Sequence, residues 1–387
     1  MKILWLFLSC LLAFTLVVGS CGGTTPLGGE QEEEEEEVSF TMLDQDIRVG
    51  DYVLEQGNFA SNDFDNDGDE DIFLFMQKSL DSGRDCRLDI YKNNNQTFSL
   101  HQSIPFGNTY PYSLAVTDVD GDGLTEIIAA SDILSIFKLE GTYFSFWQDI
   151  AISPVCSISV EDMNKDGNSD LVLCGASKRV HVFENDGAGY FGQVWQSEVL
   201  DSNEVAELRV ADFNGDENLD IVSLSLYDGK INIFLGDGTG RYFTNVYTKD
   251  FGVRSFSLDI GDIDSDGRMD FAVEVGWGRL YVFTNDGDGK SFTQYWLGPD
   301  YGNACFGLKL YDFTGDGELD ILCLLFDTGD LYIYENHLDL GTFSLTWSDT
   351  FLSIGYGSAL MDIDGLGTMD IAVSDGGTLY FYINVIP

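Results

Sequence analysis

Cations are what this chain is shortest of. Its 387 residues carry 19 Lys and Arg against 66 Asp and Glu, a formal net charge of -47. So acidic a balance excludes nucleic acid and anionic lipid surfaces as partners, because both would repel it. Histidine is scarce too. His101, His181 and His337 are the full set, and nothing in the sequence places them beside a Ser, a Cys or a second His, so neither a nucleophilic triad nor a zinc site is expected. Proline is rare at 6, whereas glycine reaches 43, the balance of many strands joined by tight turns. No stretch of helical period follows residue 20, and no glycine-rich phosphate loop opens a helix. With 44% hydrophobic and 13% aromatic residues, the chain still has the apolar mass for a sizeable core.

What is present in abundance is one acidic nonapeptide, met seven times. It begins at Asp63, Asp118, Asp162, Asp212, Asp262, Asp312 and Asp362, so that from Asp162 onward the interval is 50 residues. A period of this size is the signature of a repeat architecture. Side-chain oxygens recur at positions 1, 3, 5 and 9, with Gly usually at 6. The sets are Asp63, Asp65, Asp67 and Asp71; Asp118, Asp120, Asp122 and Glu126; Asp162, Asn164, Asp166 and Asp170; Asp212, Asn214, Asp216 and Asp220. They continue with Asp262, Asp264, Asp266 and Asp270; Asp312, Thr314, Asp316 and Asp320; and Asp362, Asp364 and Asp370. Alternating oxygens around a glycine bend wrap a hard cation, so several structural Ca²⁺ ions are expected. Position 7 varies freely, as suits a ligand donated by a backbone carbonyl. Carboxylates held near 4 Å would otherwise repel by roughly 4 kcal/mol per pair at an effective dielectric of about 20. The last loop, with Leu366 at position 5, is expected to bind weakly or not at all; the fourth has Glu217 in place of the Gly, and the sixth has Thr314 at position 3.

These are not EF-hands. Position 12 is Leu74, Ala129, Leu173, Ser223, Val273, Cys323 or Val373, none able to chelate, and β-like runs such as Ile72-Phe-Leu-Phe follow position 9. Each period carries four strand-like runs with two-residue alternation, which reads as a four-stranded antiparallel meander. The expected fold is therefore all-β: a seven-bladed β-propeller over 38–387. The seventh unit lacks its fourth strand, and Val38–Leu43 resembles the missing piece, so it is expected to pair with the chain's last strand and close the ring.

The chain resembles the FG-GAP/VCBS-repeat propellers, the family that includes the head of integrin α-chains and many bacterial surface proteins. Phe106-Gly107, Phe251-Gly252 and, loosely, Tyr301-Gly302 correspond to the FG element; no GAP element is evident. The resemblance implies Ca²⁺ in the acidic loops, but no single ligand or activity.

Residues 1–20 read as a lipoprotein signal peptide: Lys2 precedes an apolar run from Ile3 to Val18, too short for a stable span. Val18-Gly19-Ser20-Cys21 resembles a bacterial lipobox, in which Cys21 becomes the lipidated first residue. Residues 21–37, including the run Glu32 to Glu37, form an acidic flexible tether, and an acidic stretch near the lipid Cys resembles surface-export signals of Gram-negative lipoproteins. The expected location is thus the bacterial envelope, as an outer-membrane or surface lipoprotein whose lipid is its one membrane contact. Five cysteines remain: Cys86, Cys156, Cys174, Cys305 and Cys323. Two pairs flank acidic loops and could bridge adjacent strands; as buried small apolar residues they need not.

In an up-and-down meander the acidic loops share one face. The other face collects Trp277, Tyr227, Tyr110, Tyr112, Tyr301 and Tyr356, candidate ligand contacts on a rigid scaffold. Trp147, Trp195, Trp296 and Trp347, with Tyr247, recur at one fourth-strand position and read as packing between blades. The function this points to is a monomeric, non-catalytic binding module for a glycan or an extracellular protein. The alternative is a Ca²⁺-dependent polysaccharide lyase or another glycan-processing enzyme on the same scaffold.

Overall fold

The computed structural model describes residues 38–385 except 55–57, 82, 153, 201–203 and 351–353. The signal segment, Cys21 and the tether lie outside the described residues. Within them the fold is all-β. Seven antiparallel sheets follow one another along the chain, spanning 59–107, 113–150, 155–196, 205–249, 258–300, 305–349 and 357–384, and are called blades 1 to 7. Blade 5 shows the unit: Leu258–Gly261, the acidic loop, Asp270–Val275, Arg279–Asn285 and Phe292–Asp300, each strand paired to the next.

The second strand of blades 2 to 7 is buried along its whole length, as in Asp170–Gly175, Asp220–Ser225, Asp270–Val275 and Asp320–Leu325, and that of blade 1 over Asp71 to Gln77. Its alternate side chains enter opposite joints. Phe271 and Val273 pack toward blade 4 with Phe213 and Val222, while Ala272 packs toward blade 6 with Leu308 and Ile321. This is why these strands read as unbroken apolar runs and not as alternating ones. Seven apolar clusters result, one per joint. Each fully buried Phe, such as Phe73, Phe213 or Phe313, contributes about 1.5–3 kcal/mol relative to an exposed one.

The fourth-strand aromatics do pack between blades. Trp195 lies 4.8 Å from Phe243, Tyr247 4.9 Å from Phe292, Trp296 5.0 Å from Phe343 and Trp347 5.7 Å from Tyr382, each on the following blade. In blades 3 to 6 the ladder register shifts immediately before that residue. One bulged residue re-aims the side chain and twists the outer strand.

Ring closure follows the expected route. Phe40–Met42 pairs antiparallel with Thr378–Asn384, opposing Phe40 to Asn384 and Met42 to Tyr382. A second short strand, Ile47–Arg48, adds to the same edge opposite Leu379 and Thr378. No disulfide forms: all five cysteines of the described chain are free, and four are buried.

A feature absent from the sequence reading ties neighbouring blades. At or next to the end of the third strand, five of the seven blades carry an Asn, and this side chain is buried. Asn285 Nδ2 donates to Phe213 O of blade 4 at 2.7 Å and to Met269 O at 3.1 Å, while its Oδ1 accepts from the Gly287 and Gly289 amides. Asn185 makes the equivalent four bonds, reaching Val119 O of blade 2. Asn336 reaches Ile263 O, and Asn93 of blade 1 reaches Ile363 O of blade 7 at 2.9 Å, fastening first to last. Replacing Asn285 by Ala orphans two carbonyls and two amides at a buried joint. Asn285→Ala is expected to lower stability by about 2–3 kcal/mol, measured by denaturant unfolding, whereas Asn94→Ala, beyond the latch in blade 1, should change it little.

Candidate metal loops and the opposite face

All seven acidic loops share one internal scaffold. The position-1 carboxylate accepts the amide of position 6 in every case: Asp63 from Gly68, Asp118 from Gly123, Asp162 from Gly167, Asp212 from Glu217, Asp262 from Gly267, Asp312 from Gly317 and Asp362 from Gly367, at 2.7–3.0 Å. Position 5 accepts the amide of position 7, as in Asp166 with Asn168 and Asp316 with Glu318. Positions 4 and 6 are left-handed in all seven loops, from Asn66 and Gly68 to Gly365 and Gly367. The requirement at position 4 went unread, although four of the seven residues there are glycines.

The position-9 carboxylate has a different job. Asp71, Glu126, Asp170, Asp220, Asp270, Asp320 and Asp370 are buried. Asp270 accepts the Ile263 amide at loop position 2 and the Asn285 amide at the end of the third strand. Asp170, Asp220, Asp320 and Asp370 repeat both contacts. Burial, and secondarily the neighbouring loop carboxylates, push Asp71, Glu126, Asp220 and Asp320 up to about 7, and Asp170, Asp270 and Asp370 up to about 6; the accepted amide bonds oppose this.

Carboxylate oxygens converge within 4.8 Å of one another at Asp63, Asp65 and Asp71; Asp118, Asp120 and Asp122; Asp262, Asp264 and Asp270; and Asp362, Asp364 and Asp370. These four groups could hold a metal ion. The last keeps its three carboxylates together despite Leu366, which is 78% exposed and turned outward. In the other three loops Asn164, Asn214 and Thr314 supply a neutral oxygen at position 3. Asp65 Oδ1, Asp71 Oδ2, Glu126 Oε1 and Asp264 Oδ1 are buried without a hydrogen-bond partner. Such orphans cost free energy unless something positive meets them, so the donor set fits a hard cation. Side chains supply part of the charge: Lys92 touches Asp65, Lys138 touches Asp120 and Asp122, and Arg268 touches Asp266.

On the opposite face the six candidate contacts separate. Tyr110, Tyr112 and Tyr356 line the mouth of the central channel, a cavity of about 640 Å³. Trp277 stands beside it, 49% exposed and 5.8 Å from Phe256. Its φ of 73° is unusual for so bulky a residue. The turn is held by the buried Glu274, which accepts the Gly278 and Phe256 amides, and Gly278 leaves no room for a Cβ, which would lie 2.0 Å from Asn303 O. Tyr227 is 41% exposed under the Arg254 guanidinium, further out. Tyr301 instead packs on Tyr332 in the joint between blades 5 and 6, with its hydroxyl against that of Tyr334. It is the Tyr of the loose FG pair, and Phe106 and Phe251 fill the same wedge against Phe137 and Tyr281.

Sequence reasoning missed the phenylalanines of the channel mouth. Six residues before the first Asp of the second to seventh loops stand Tyr112, Cys156, Ala206, Phe256, Phe306 and Tyr356, and all six line the cavity. The fixed offset was the available signal. It also missed a Ser–His contact: His181 Nε2 lies 2.8 Å from Ser177 Oγ across a hairpin turn, but His181 Nδ1 is buried with no partner, so no acid orients the ring. Burial, with Arg179 nearby, lowers the His181 pKa.

The loop backbone yields a direct test. Glu217 occupies position 6 with φ 67° where the other loops have Gly. Glu217→Gly is expected to raise stability by about 1 kcal/mol by removing that strain, read as an upward shift of the unfolding midpoint.

The family model for the FG-GAP-like repeat matches residues 63–129, 162–223 and 212–273. No curated protein sequence matches the chain. Among solved structures, BBS1N in complex with ARL6DN, soaked with mercury, is similar at 12% identity and TM-score 0.63, over 90% of this chain and 97% of that one. The same complex soaked with lead gives 13% identity, TM-score 0.63 and shares of 89% and 97%. A protein from Lactobacillus plantarum is similar at 14% identity and TM-score 0.56, over 78% of this chain and 86% of that one. At such identities the likeness is one of fold. Repeat, blade count and closure agree: the chain is a seven-bladed β-propeller carrying FG-GAP-like repeats.

Proposed function

We propose that this chain is a Ca²⁺-stabilised, non-catalytic binding module of the bacterial envelope, meeting a glycan or an extracellular protein with the face opposite its acidic loops. The observation that carries the reading is the division of the two faces. One face holds seven oxygen-rich loops, three of them with buried, unpartnered carboxylate oxygens, and the other holds aromatics around much of an open cavity. Positions 1, 3, 5 and 9 would hold the ion, whose charge would offset the crowded carboxylates. At about 1 mM Ca²⁺ and a dissociation constant near 10⁻⁴ M, each occupied site adds roughly 1.4 kcal/mol. The lipobox-like Val18 to Cys21 and the acidic tether support an anchored module held away from its membrane.

Thermal unfolding with 1 mM Ca²⁺ or with excess chelator tests the ion. The midpoint is expected to fall by many degrees on chelation, and an unchanged midpoint contradicts the metal reading. pH gives a second check. The position-9 carboxylates titrate at about 6 to 7 in the folded chain and near 4 when unfolded, so the folded state binds more protons between those values. Metal-free protein is therefore expected to lose stability as pH rises from 4 to 7. The Ca²⁺-dependent increment should do the reverse, growing as those groups deprotonate and vanishing below about pH 5. Binding to arrayed glycans and extracellular proteins, weakened by Trp277→Ala at unchanged midpoint, tests the face.

A further inference from the structure

The central channel is lined by the first strand of each blade, and two rings of side chains define it. The upper ring forms the lip, with Tyr112, Phe256, Phe306 and Tyr356 as its large members. Phe256 lies 4.8 Å from Phe306, Phe306 4.5 Å from Phe326 and Phe326 5.4 Å from Tyr356, so that with Trp277 an aromatic arc runs from blade 5 to blade 7. Neighbouring rings along the arc are inclined at 30° to 90°. They make an apolar cup, not a flat platform.

Three residues further along the strands, roughly 10 Å deeper, the ring reads Ala60, Ala115, Ser159, Arg209, Asp259, Lys309 and Ala359. Of these, Arg209, Lys309 and Ala359 line the cavity, while Ala60 and Ala115 pack against the neighbouring joints. Arg209 is committed: it pairs with Glu207 at 2.7 Å and Asp259 at 2.9 Å. Glu207 and Asp259 in turn accept the Leu258 and Leu310 amides of the next blades. Lys309 lines the cavity and makes no ion pair among the described residues, in a chain of net charge -47. Glu204 and Glu207 line the same cavity, but Glu207 and Asp259 are engaged by Arg209 and Glu204 by the Cys156 thiol. A partly buried Lys309 without an ion pair, below an aromatic lip, is complementary to an anion borne on an apolar body.

We propose that the channel receives the C-terminal end of a peptide with apolar last residues, the terminal carboxylate meeting Lys309 and the side chains resting in the aromatic cup. This rests on the binding-face reading above and chooses peptide over saccharide within it. The polar lining residues Asn58, Ser113 and Ser358 lie at blades 1, 2 and 7, whereas on the arc beside Lys309 Phe256, Phe306 and Phe326 offer no polar atom to a sugar's hydroxyls, and a buried hydroxyl without a partner is costly. An extended chain end three residues long spans the distance from lip to ammonium.

The test passes two N-acetylated hexapeptide mixtures over the immobilised full-length protein, one with free C-terminal carboxylates and one amidated, alongside hexagalacturonate. Peptides with a free carboxylate and an apolar last residue are expected to be retained, with the amidated mixture bound at least tenfold more weakly. Lys309→Met should bring the free acids down to the level of the amides, Lys309→Arg should retain most of the difference, and Phe306→Ala should weaken both mixtures. Unfolding midpoints identify any variant that has lost its fold. Equal retention of acids and amides, sensitive to Trp277→Ala but not to Lys309→Met, overturns the carboxylate assignment and leaves the face as the binding surface. Retention of hexagalacturonate with neither peptide mixture overturns the peptide assignment in favour of an acidic glycan. Retention of none of the probes by a folded protein overturns the channel assignment, while the broader reading is then decided by the arrays.

Discussion

Seven buried carboxylates carry the acid-rich end of this molecule. Each closes the first hairpin of its blade, and in most blades it draws together the amide that opens the loop and the amide that ends the third strand. The residue at that strand end is usually the Asn that reaches the neighbouring blade. One oxygen pair therefore links loop shape, blade pleat and ring joint. The arrangement puts charge where water is excluded, which raises the carboxylate pKa and leaves some oxygens unpartnered. A hard cation answers that electrostatic problem, and the side-chain cations Lys92, Lys138 and Arg268 answer part of it.

The two faces then follow different rules. At the acidic face the repeat is kept nearly unchanged from blade to blade, because every loop must satisfy the same amides with the same two left-handed residues. At the other face the residues at corresponding positions differ. The lip has aromatics on blades 2, 5, 6 and 7 and small residues on blades 3 and 4, and the deeper ring has charges only on blades 4 to 6. A scaffold that repeats and a mouth that does not suits a rigid support presenting one asymmetric pocket.

Much of this was legible beforehand. The blade count, the strand order and the N-terminal closing strand were readable from the period and from the missing fourth strand of the last unit. The packing role of Trp195, Trp296 and Trp347 was readable from their common offset. Other features were not. Asn185 and Asn285 look like ordinary turn residues, since Asn-Asp-Gly is a turn signal, and their second role is a bond to a carbonyl more than 60 residues away. Tyr301 counted as a surface aromatic because it follows an outer strand, yet its ring enters the joint with blade 6. Ile47–Arg48 was too short to register as a strand, and it exists because the closing edge offers it a partner.

By itself the amino-acid order determined whatever depends on neighbours along the chain: alternation, the oxygen spacing of the loops, the glycine bends and the repeat that forces a ring. Those are local because a backbone dihedral or a chelating loop is settled within some nine residues. Only the tertiary structure decided what the blades do to one another: which Asn fastens to which carbonyl, that Tyr301 faces a joint while Tyr356 faces the channel, and that Lys309 makes no ion pair among the described residues. The reason is geometric. Closing seven sheets around an axis brings residues 50 or more positions apart into contact, and no periodicity in the chain states which of their side chains will meet and which will be left facing open space.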